Sequence, residues 1–406
     1  MADTRSEYVS AVVGAVDALH DELVEISLDI HSHPQVNYEE QHAAKLLADN
    51  LESHGFHVER GVGGVETAFR GTLNGGGGDG PTVGLLAEYD ALPEIGHGCG
   101  HNLIAISNLG AGLAAQSALG SLPGRIVVLG TPAEEGGGGK IRMLDAGVFD
   151  GVDIALSSHP SSNMTSFDTD APPGTTWSLA MASRIFEFHG KAAHAAARPE
   201  AGINALNAVI HLFTGIDAMR QHLRDDTRIH GVVTHGGTAA NVVPEYAAAD
   251  FMMRSRDRVY LTEVLGKVMN IAEGAATMTG ARLEPPTANP MYEDVRPNTT
   301  LAGTAEAIAR DIGMDVDPPA SGSRGSGAST DFGNVSHVMP SFAMRFAVSR
   351  EPVPGHSRLM TEAARTDLAH ENALATAKVL GIMACDLLAD PGLAEAARRE
   401  FAARGA

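Results

Sequence analysis

The sequence predicts an α/β fold: a large domain with a mostly parallel central sheet, interrupted by a smaller inserted α+β unit. Two observations carry this. Between Thr82 and Ser157, short apolar strands alternate with helical stretches, the pattern of a layered parallel sheet. Around Pro172, Pro173 and Gly174 that rhythm breaks, and from Thr176 to about Pro290 the pattern becomes strand, helix, strand, strand, helix, strand. Four strands and two helices in that order make a compact ferredoxin-like unit. The expected division is therefore residues 1–174, an insert over 175–290, and a return over 291–406.

Val9, Val12, Val16, Leu19, Leu23, Ile26 and Ile30 step by threes and fours, so one apolar stripe marks a helical first segment. A second helix covers Gln41 to His54 and stops at Gly55. Phe56–Val58, Thr67–Leu73 and Thr82–Leu86 read as strands, with the glycine run Gly75–Gly78 as a flexible hairpin tip between two of them. Leu103–Leu119 is a small-residue helix, Arg125–Gly130 a buried strand, Lys140–Ala146 a short helix and Asp153–Ser157 a strand. In the insert, Ile203, Leu206, Ile210, Phe213 and Ile216 define the face of the first helix, and Pro285, Pro286 and Pro290 form the return linker. A Gly/Ser loop (321–329), a strand over Phe342–Val348 and a long helix from about Thr361 to Leu388 complete the chain.

Composition narrows the function. The 406 residues are 44% hydrophobic and 19% charged, enough for a sizeable core. The formal charge is −21 and no basic footprint is visible, which argues against nucleic acid and anionic membranes as partners. Two cysteines, Cys99 and Cys385, make no disulfide framework. The segment MADTRSEYVSAVVG lacks a signal-peptide apolar core, and no run of uninterrupted apolar residues has the length of a membrane span. A cytoplasmic protein is expected.

The most informative segment is Leu85–Asn102, LLAEYDALPEIGHGCGHN, where a buried strand runs into acids and then into His97, Cys99 and His101. Thiolate and imidazole are good ligands for zinc and similar ions. The strand Arg125–Gly130 runs into Thr131-Pro132-Ala133-Glu134-Glu135, and two adjacent carboxylates resist desolvation unless a cation compensates them. On an extended segment these neighbours would point to opposite sides, one towards a metal and one towards its water. The strand Asp153–Ser157 ends before His159, and near the C-terminus lies Pro354-Gly355-His356-Ser357. Three strands of one sheet thus deliver candidate ligands past their carboxyl ends, where open α/β sheets place their sites. Gly136–Lys140 is not a phosphate loop, because Glu134 stands where its first Gly should be and Ile141 replaces the Ser/Thr. His31, His33, His54, His57 and His222 are assigned to structure or surface, and Cys385 to the core.

These residues resemble a known family. AEYDALPEIGHGCGHN, GTPAEEGGGGK, the His159-Pro160 step, HGKAAHAAARPEAGINAL, GGTAANVVPEYA and GASTDFGNVSHVMPS occur in the order of the aminoacylase and glutamate-carboxypeptidase family of dinuclear metallopeptidases. The nearest branch contains aminobenzoyl-glutamate hydrolase and β-alanyl-lysine dipeptidase. The resemblance implies two divalent ions per subunit, Mn²⁺ or Zn²⁺. Cys99 would bridge them, His101 and His159 would complete one site, and Glu135 and His356 the other. Glu134 would be the general base, and Asp90 would orient a ligand from behind. The insert would be the family's lid and dimerisation domain, making a homodimer; His194 would polarise the scissile carbonyl and Asn241 would help hold the substrate. Arg254 and Arg324 are candidates for a substrate carboxylate, which guanidinium grips bidentately. Asn102 departs from the Asp that many relatives carry, and SREPVPGHSRLM, around His356, is the weakest match.

The implied activity is hydrolysis of the amide bond of a small N-acyl or β-aminoacyl amino acid, a dipeptide included, by metal-activated water. Two alternatives stay open at this point: another C–N bond, such as an aromatic amine, and a non-catalytic binding protein on the same fold.

Overall fold

The computed structural model describes residues 2–167, 169, 178–317 and 327–404. The chain divides into two compact units, one of residues 1–175, 296–324 and 334–406, the other of residues 176–295 and 325–333. The expected break at Pro172–Gly174 and most of the Gly/Ser loop lie outside the described residues.

The first unit opens with α1 (Ala2–Ala18), α2 (His20–Ser32) and α3 (Gln41–Ser53). The single apolar stripe spans two helices: Val12, Val16, Leu23, Ile26 and Ile30 are all buried. The chain kinks at Leu19 yet keeps its ladder, with Leu19 N–H bonding Ala15 O at 3.0 Å and Leu23 N–H bonding Leu19 O at 2.9 Å. Then come β1 (His57–Arg60), β2 (Phe69–Asn74), β3 (Thr82–Ala87), α4 (His101–Leu119), β4 (Arg125–Gly130), α5 (Gly139–Asp145) and β5 (Ile154–Ser161).

Among the described residues, the sheet of this unit has the order β1-β2-β4-β3-β5-β11, with β11 at Ser341–Ala347. Strands β4, β3, β5 and β11 are mutually parallel, while β1 and β2 run antiparallel at one edge. The mostly parallel expectation holds. The hairpin does not, because β2 and β3 flank β4 and never pair with each other. Gly75–Gly78 is instead a close backbone crossing: Gly75 N–H bonds Gly124 O at 2.8 Å and Gly77 N–H bonds Leu122 O at 3.0 Å. A Cβ on Gly75 would sit 2.2 Å from Leu122 O, so glycine is required there by contact rather than flexibility.

The second unit contains β6 (Ala180–His189), α6 (Ala205–Met219), β7 (Arg228–His235), β8 (Tyr246–Ser255), α7 (Arg258–Thr279), β9 (Arg282–Leu283) and β10 (Thr287–Ala288). Its antiparallel sheet has the order β10-β6-β8-β7, with β9 also on β6, the ferredoxin-like arrangement read from the sequence. The predicted face of α6 needs rotation. Ala205, Ala208, Val209, Leu212 and Ile216 are buried, whereas Ile210 is 51% exposed. Two alanines share the inward side with Val209, Leu212 and Ile216, so counting only the large apolar residues misplaces its centre.

The return adds α8 (Thr299–Asp311), α9 (Phe332–Val338), β11, α10 (Arg358–Ala363), α11 (Asp367–Ala389) and α12 (Pro391–Arg404). The long final helix is two helices, because Thr366 caps α11 by accepting from Ala369 N–H. Helix α11 is long and apolar enough to cross a membrane by length and composition, but most of it is buried inside the protein against α4 and α1. Cys385 lies in that core, as expected.

Candidate active site

Parallel strands β3, β4, β5 and β11 bring their carboxyl ends to one edge, and the candidate residues of the first unit gather there. Beyond Leu156, β5 is no longer paired with β3 and continues only alongside β11. His159 and Pro160 therefore lie within the strand rather than after it, at a place where a proline's missing N–H costs nothing on the open side. Gly100 lies in the left-handed region (φ 77°), and its Cα approaches Pro160 so closely that a Cβ would meet the proline ring at 3.0 Å. That approach sets Cys99 and His101, which flank it, against His159.

Three overlapping trios result, each with donor atoms within 4.8 Å of one another: Cys99, His101 and His159; Cys99, Glu135 and His356; and His101, Glu134 and Glu135. Cys99 Sγ is 3.5 Å from His159 Nε2, and His356 Nε2 is 3.2 Å from Glu135 Oε1. Glu134 and Glu135 do not point to opposite sides as an extended segment would place them. Residues 134–137 form a turn, and Ala133 before it has φ 58°, so both carboxylates enter the same cluster. His356 also has positive φ (52°), and its N–H is tied to Gly98 O at 2.9 Å. Strained non-glycine backbone beside or at donor positions is the kind that functional sites store.

The remaining nitrogen of each of the two rings is fixed. His101 Nδ1 meets Asp90 Oδ1 at 2.9 Å, and His159 Nδ1 meets Pro160 O at 2.7 Å. Such partners set the tautomer, leaving Nε2 as the ligand atom. Asp90 spans the cluster, since its Oδ2 accepts the Glu135 N–H at 2.9 Å.

Electrostatics follow from burial. Glu88, Asp90 and Glu134 are buried, as is Lys140, whose Nζ is 2.7 Å from Glu88 Oε1. Burial would strip the proton from His101, but Asp90 and Cys99 outweigh it and hold the imidazole well above its ordinary pKa. Burial would raise Asp90 and Glu135; His101 holds the first, and His356 with His101 the second, below the usual carboxylate range. Burial, reinforced by Glu135, pushes the Cys99 thiol far up, and burial lowers His159. Buried atoms of the cluster without a hydrogen-bond partner include Glu88 Oε2 and His101 Nε2, 3.7 Å apart. Thiol, imidazole and carboxylate donors, with orphaned buried atoms among them, fit a cationic centre: a metal would neutralise the carboxylates and draw the thiol to thiolate.

A second arrangement supports the turn carrying Glu134 and Glu135 from outside. Asn37 Nδ2 donates to Glu135 O at 2.9 Å and Tyr38 OH to Gly137 O at 2.6 Å. Buried Glu40 accepts from Ala133 N–H (2.9 Å) and Tyr38 N–H (2.9 Å) through Oε1 and from Thr67 OH through Oε2 (2.9 Å). Burial and the Asp90 charge push its carboxyl up to about 7.

Sequence reasoning missed Glu88, Lys140 and Glu40. The rejected phosphate-loop lysine is in fact a buried counter-ion, and no spacing rule links it to Glu88 across the sheet. Asn102 faces the core and not the cluster, donating to Ser27 Oγ (2.8 Å) and to Ala364 O (2.9 Å) in the break between α10 and α11. An aspartate could not make those two donations. His97 donates to Ile30 O and stacks on His31, and burial drives its pKa to about 3, so it is structural.

The other candidates lie elsewhere. His194 and Asn241 belong to the second unit and are neighbours there: Ala195 N–H bonds Asn241 O at 3.0 Å, and His194 bridges to Val242. His194 Nδ1 accepts from Ala197 N–H at 3.2 Å. Arg254 is half-buried with its donors engaged by Gly327 O (3.0 Å) and Ser329 Oγ (3.2 Å). Arg324 lies outside the described residues.

Comparison with known proteins agrees with this architecture. Residues 180–277 match the M20 peptidase dimerisation domain. The chain is 34% identical to the Xaa-Arg dipeptidase of Mus musculus, over 95% of this chain and 90% of that one. It is 31% identical to a p-aminobenzoyl-glutamate hydrolase component of Escherichia coli K12, over 95% and 93% respectively. In fold it is similar to a dinuclear metal binding peptidase from the M20 family of Bacillus subtilis (TM-score 0.68, 21% identity, 92% of this chain and 99% of that one). It also resembles the aminobenzoyl-glutamate utilization protein of Klebsiella pneumoniae (TM-score 0.66, 22% identity, 89% and 96%). The relatives are peptidases and amide hydrolases, which disfavours both the aromatic-amine reading and the non-catalytic one. With its parallel-sheet unit, its ferredoxin-like insert and full-length relatives of this kind, the chain belongs to the M20 family of metal-dependent amide hydrolases.

Proposed function

We propose that the protein cleaves the amide bond of a small N-acyl or β-aminoacyl amino acid, dipeptides included, using two divalent ions per subunit. The observation that carries this is the convergence of three donor trios on Cys99, His101 and Glu135. In this reading Cys99, which belongs to two of the trios, would serve both ions, His101 and His159 would hold one, and Glu135 and His356 would hold the other. The thiolate favours Zn²⁺ and the carboxylates suit Mn²⁺. When bound, the ions supply an acidified water at neutral pH and a Lewis acid for the carbonyl. Glu134 takes the proton of the attacking water and returns it to the departing amine. A positioned base of this kind contributes about 10²–10⁴-fold. Asp90 keeps the His101 ring oriented and fixes the Glu135 backbone. His194 donates a hydrogen bond to the carbonyl oxygen as charge develops there, on a substrate of its own chain or of a partner's, and Asn241 holds the substrate.

A homodimer through the second unit is part of the proposal. It is supported by the match to a dimerisation domain and by an edge strand, β7, with Val232 59% and Val233 43% exposed. A cytoplasmic setting is proposed from the two unpaired cysteines. The relatives' names frame the substrate panel, one with a basic and one with an acidic leaving amino acid; the net charge of −21 favours the basic or neutral class.

The test is mass-spectrometric detection of amine release from Xaa-Arg and β-alanyl-lysine dipeptides, aminobenzoyl-glutamate and N-acetyl amino acids, with Mn²⁺- or Zn²⁺-loaded protein. Metal-dependent cleavage of an amide is expected, with Glu134→Ala retaining its metal and losing about 10²–10⁴-fold in turnover. Near-wild-type turnover by that variant would remove Glu134 from the role.

A further inference from the structure

A second, separate group of ligand-type side chains lies between α2 and α3. Asp29 is on α2, His33 is its C-terminal cap residue, and His42 is in the first turn of α3. Their donor atoms lie within 4.8 Å of one another. Asp29 Oδ1 is 2.9 Å from His33 Nδ1, Asp29 Oδ2 is 2.9 Å from His42 Nε2, and the two rings are 4.7 Å apart. All three side chains are partly exposed, at 33%, 58% and 42%, so the group is open to solvent. Two imidazole nitrogens converging on one carboxylate are a donor set for a borderline divalent ion, above all Zn²⁺.

The location gives the group a consequence. The trio closes the two ends of the connection 34–40, and that connection grips the turn carrying Glu134 and Glu135. Gln35 Oε1 caps α3 by accepting from His42 N–H at 2.7 Å, and Gln35 O accepts the Ala91 N–H at 2.8 Å. Asn37, Tyr38 and Glu40 then bond Glu135 O, Gly137 O and Ala133 N–H. Tyr38 sits at φ 63°, so the connection is a constrained one.

We propose that Asp29, His33 and His42 form a third divalent-cation site, distinct from the catalytic centre, whose ion staples α2 to α3 and stiffens the 34–40 connection that holds the catalytic turn.

The experiment titrates Zn²⁺ into the metal-loaded full-length protein, wild type and His42→Ala, counting ions per chain by native mass spectrometry and following amide hydrogen exchange. The wild type should bind one more ion than the variant, and exchange over 34–40 and 132–137 should slow on binding in the wild type alone. Loss of an outer partner of a ligand already costs about 10–100-fold in metal affinity, so loss of His42 should cost at least about tenfold at this site. His33→Gln, at the most exposed of the three positions, repeats the test should His42→Ala not fold. Equal ion counts in wild type and variants would overturn the site and leave the trio as a hydrogen-bonded ion pair. An extra ion that leaves exchange over 34–40 unchanged would overturn the staple.

Discussion

The donor cluster of the first unit and the His194 turn of the second are held in very different ways. His101 and His159 have their second nitrogens fixed by Asp90 and by Pro160 O, and the His101 side chain is wholly buried. His194 has only backbone N–H groups on Nδ1. The first arrangement is finished by folding: burial excludes water, and the partners choose the ligand nitrogen before any ion arrives. The second leaves its imidazole free to meet whatever comes to it. A metal centre needs the first kind of construction, and a group that touches a substrate only during reaction can be of the second.

The largest expected difference between the regions is in turnover. His194→Ala should lower kcat by about 10²–10³-fold, the usual cost of one oxyanion donor, while metal content and melting temperature stay at wild-type values. Metal loss in that variant would mean that the regions are not separable in this way. The smaller effect lies on the other side. Asp90→Asn should weaken metal binding by about 10–100-fold, measured by competition with a chromophoric chelator. The same assay should show wild-type affinity falling as pH drops. His101 is held above its ordinary pKa and the Cys99 thiol is pushed up, so both carry protons that an ion must displace, and acid favours those protons. Affinity independent of pH would contradict the assignment of these two residues as ligands.

Much of the fold was legible because burial in a layered α/β unit leaves period and length signals; β4 is predicted over the range the structure shows. What escaped was decided by packing between distant segments. Gly75–Gly78 looks flexible in sequence but is hydrogen-bonded to the backbone of 119–124, a partner invisible to any local rule. Ile210 looks like core by period but lies outside, since the buried face of α6 runs through Ala205, Ala208, Val209, Leu212 and Ile216. Of the site, Cys99, His101, Glu134, Glu135 and His159 were legible as motif residues following strands and His356 as a weaker motif near the C-terminus, and the structure brings them together. Glu88 and Lys140 were not, because a buried ion pair between the end of β3 and α5 has no spacing signature. The expected opposition of Glu134 and Glu135 failed at one residue, Ala133, whose left-handed backbone a strand-like reading does not anticipate.

The central claim is that five side chains of the first unit hold two ions sharing Cys99. The most direct measurement is an anomalous-scattering map of crystals of the Zn²⁺- or Mn²⁺-loaded protein, collected at the metal edge. Two peaks within bonding distance of Cys99 Sγ are expected, one flanked by His101 and His159 and the other by Glu135 and His356. No peak, or a single peak touching only part of this set, would contradict the account.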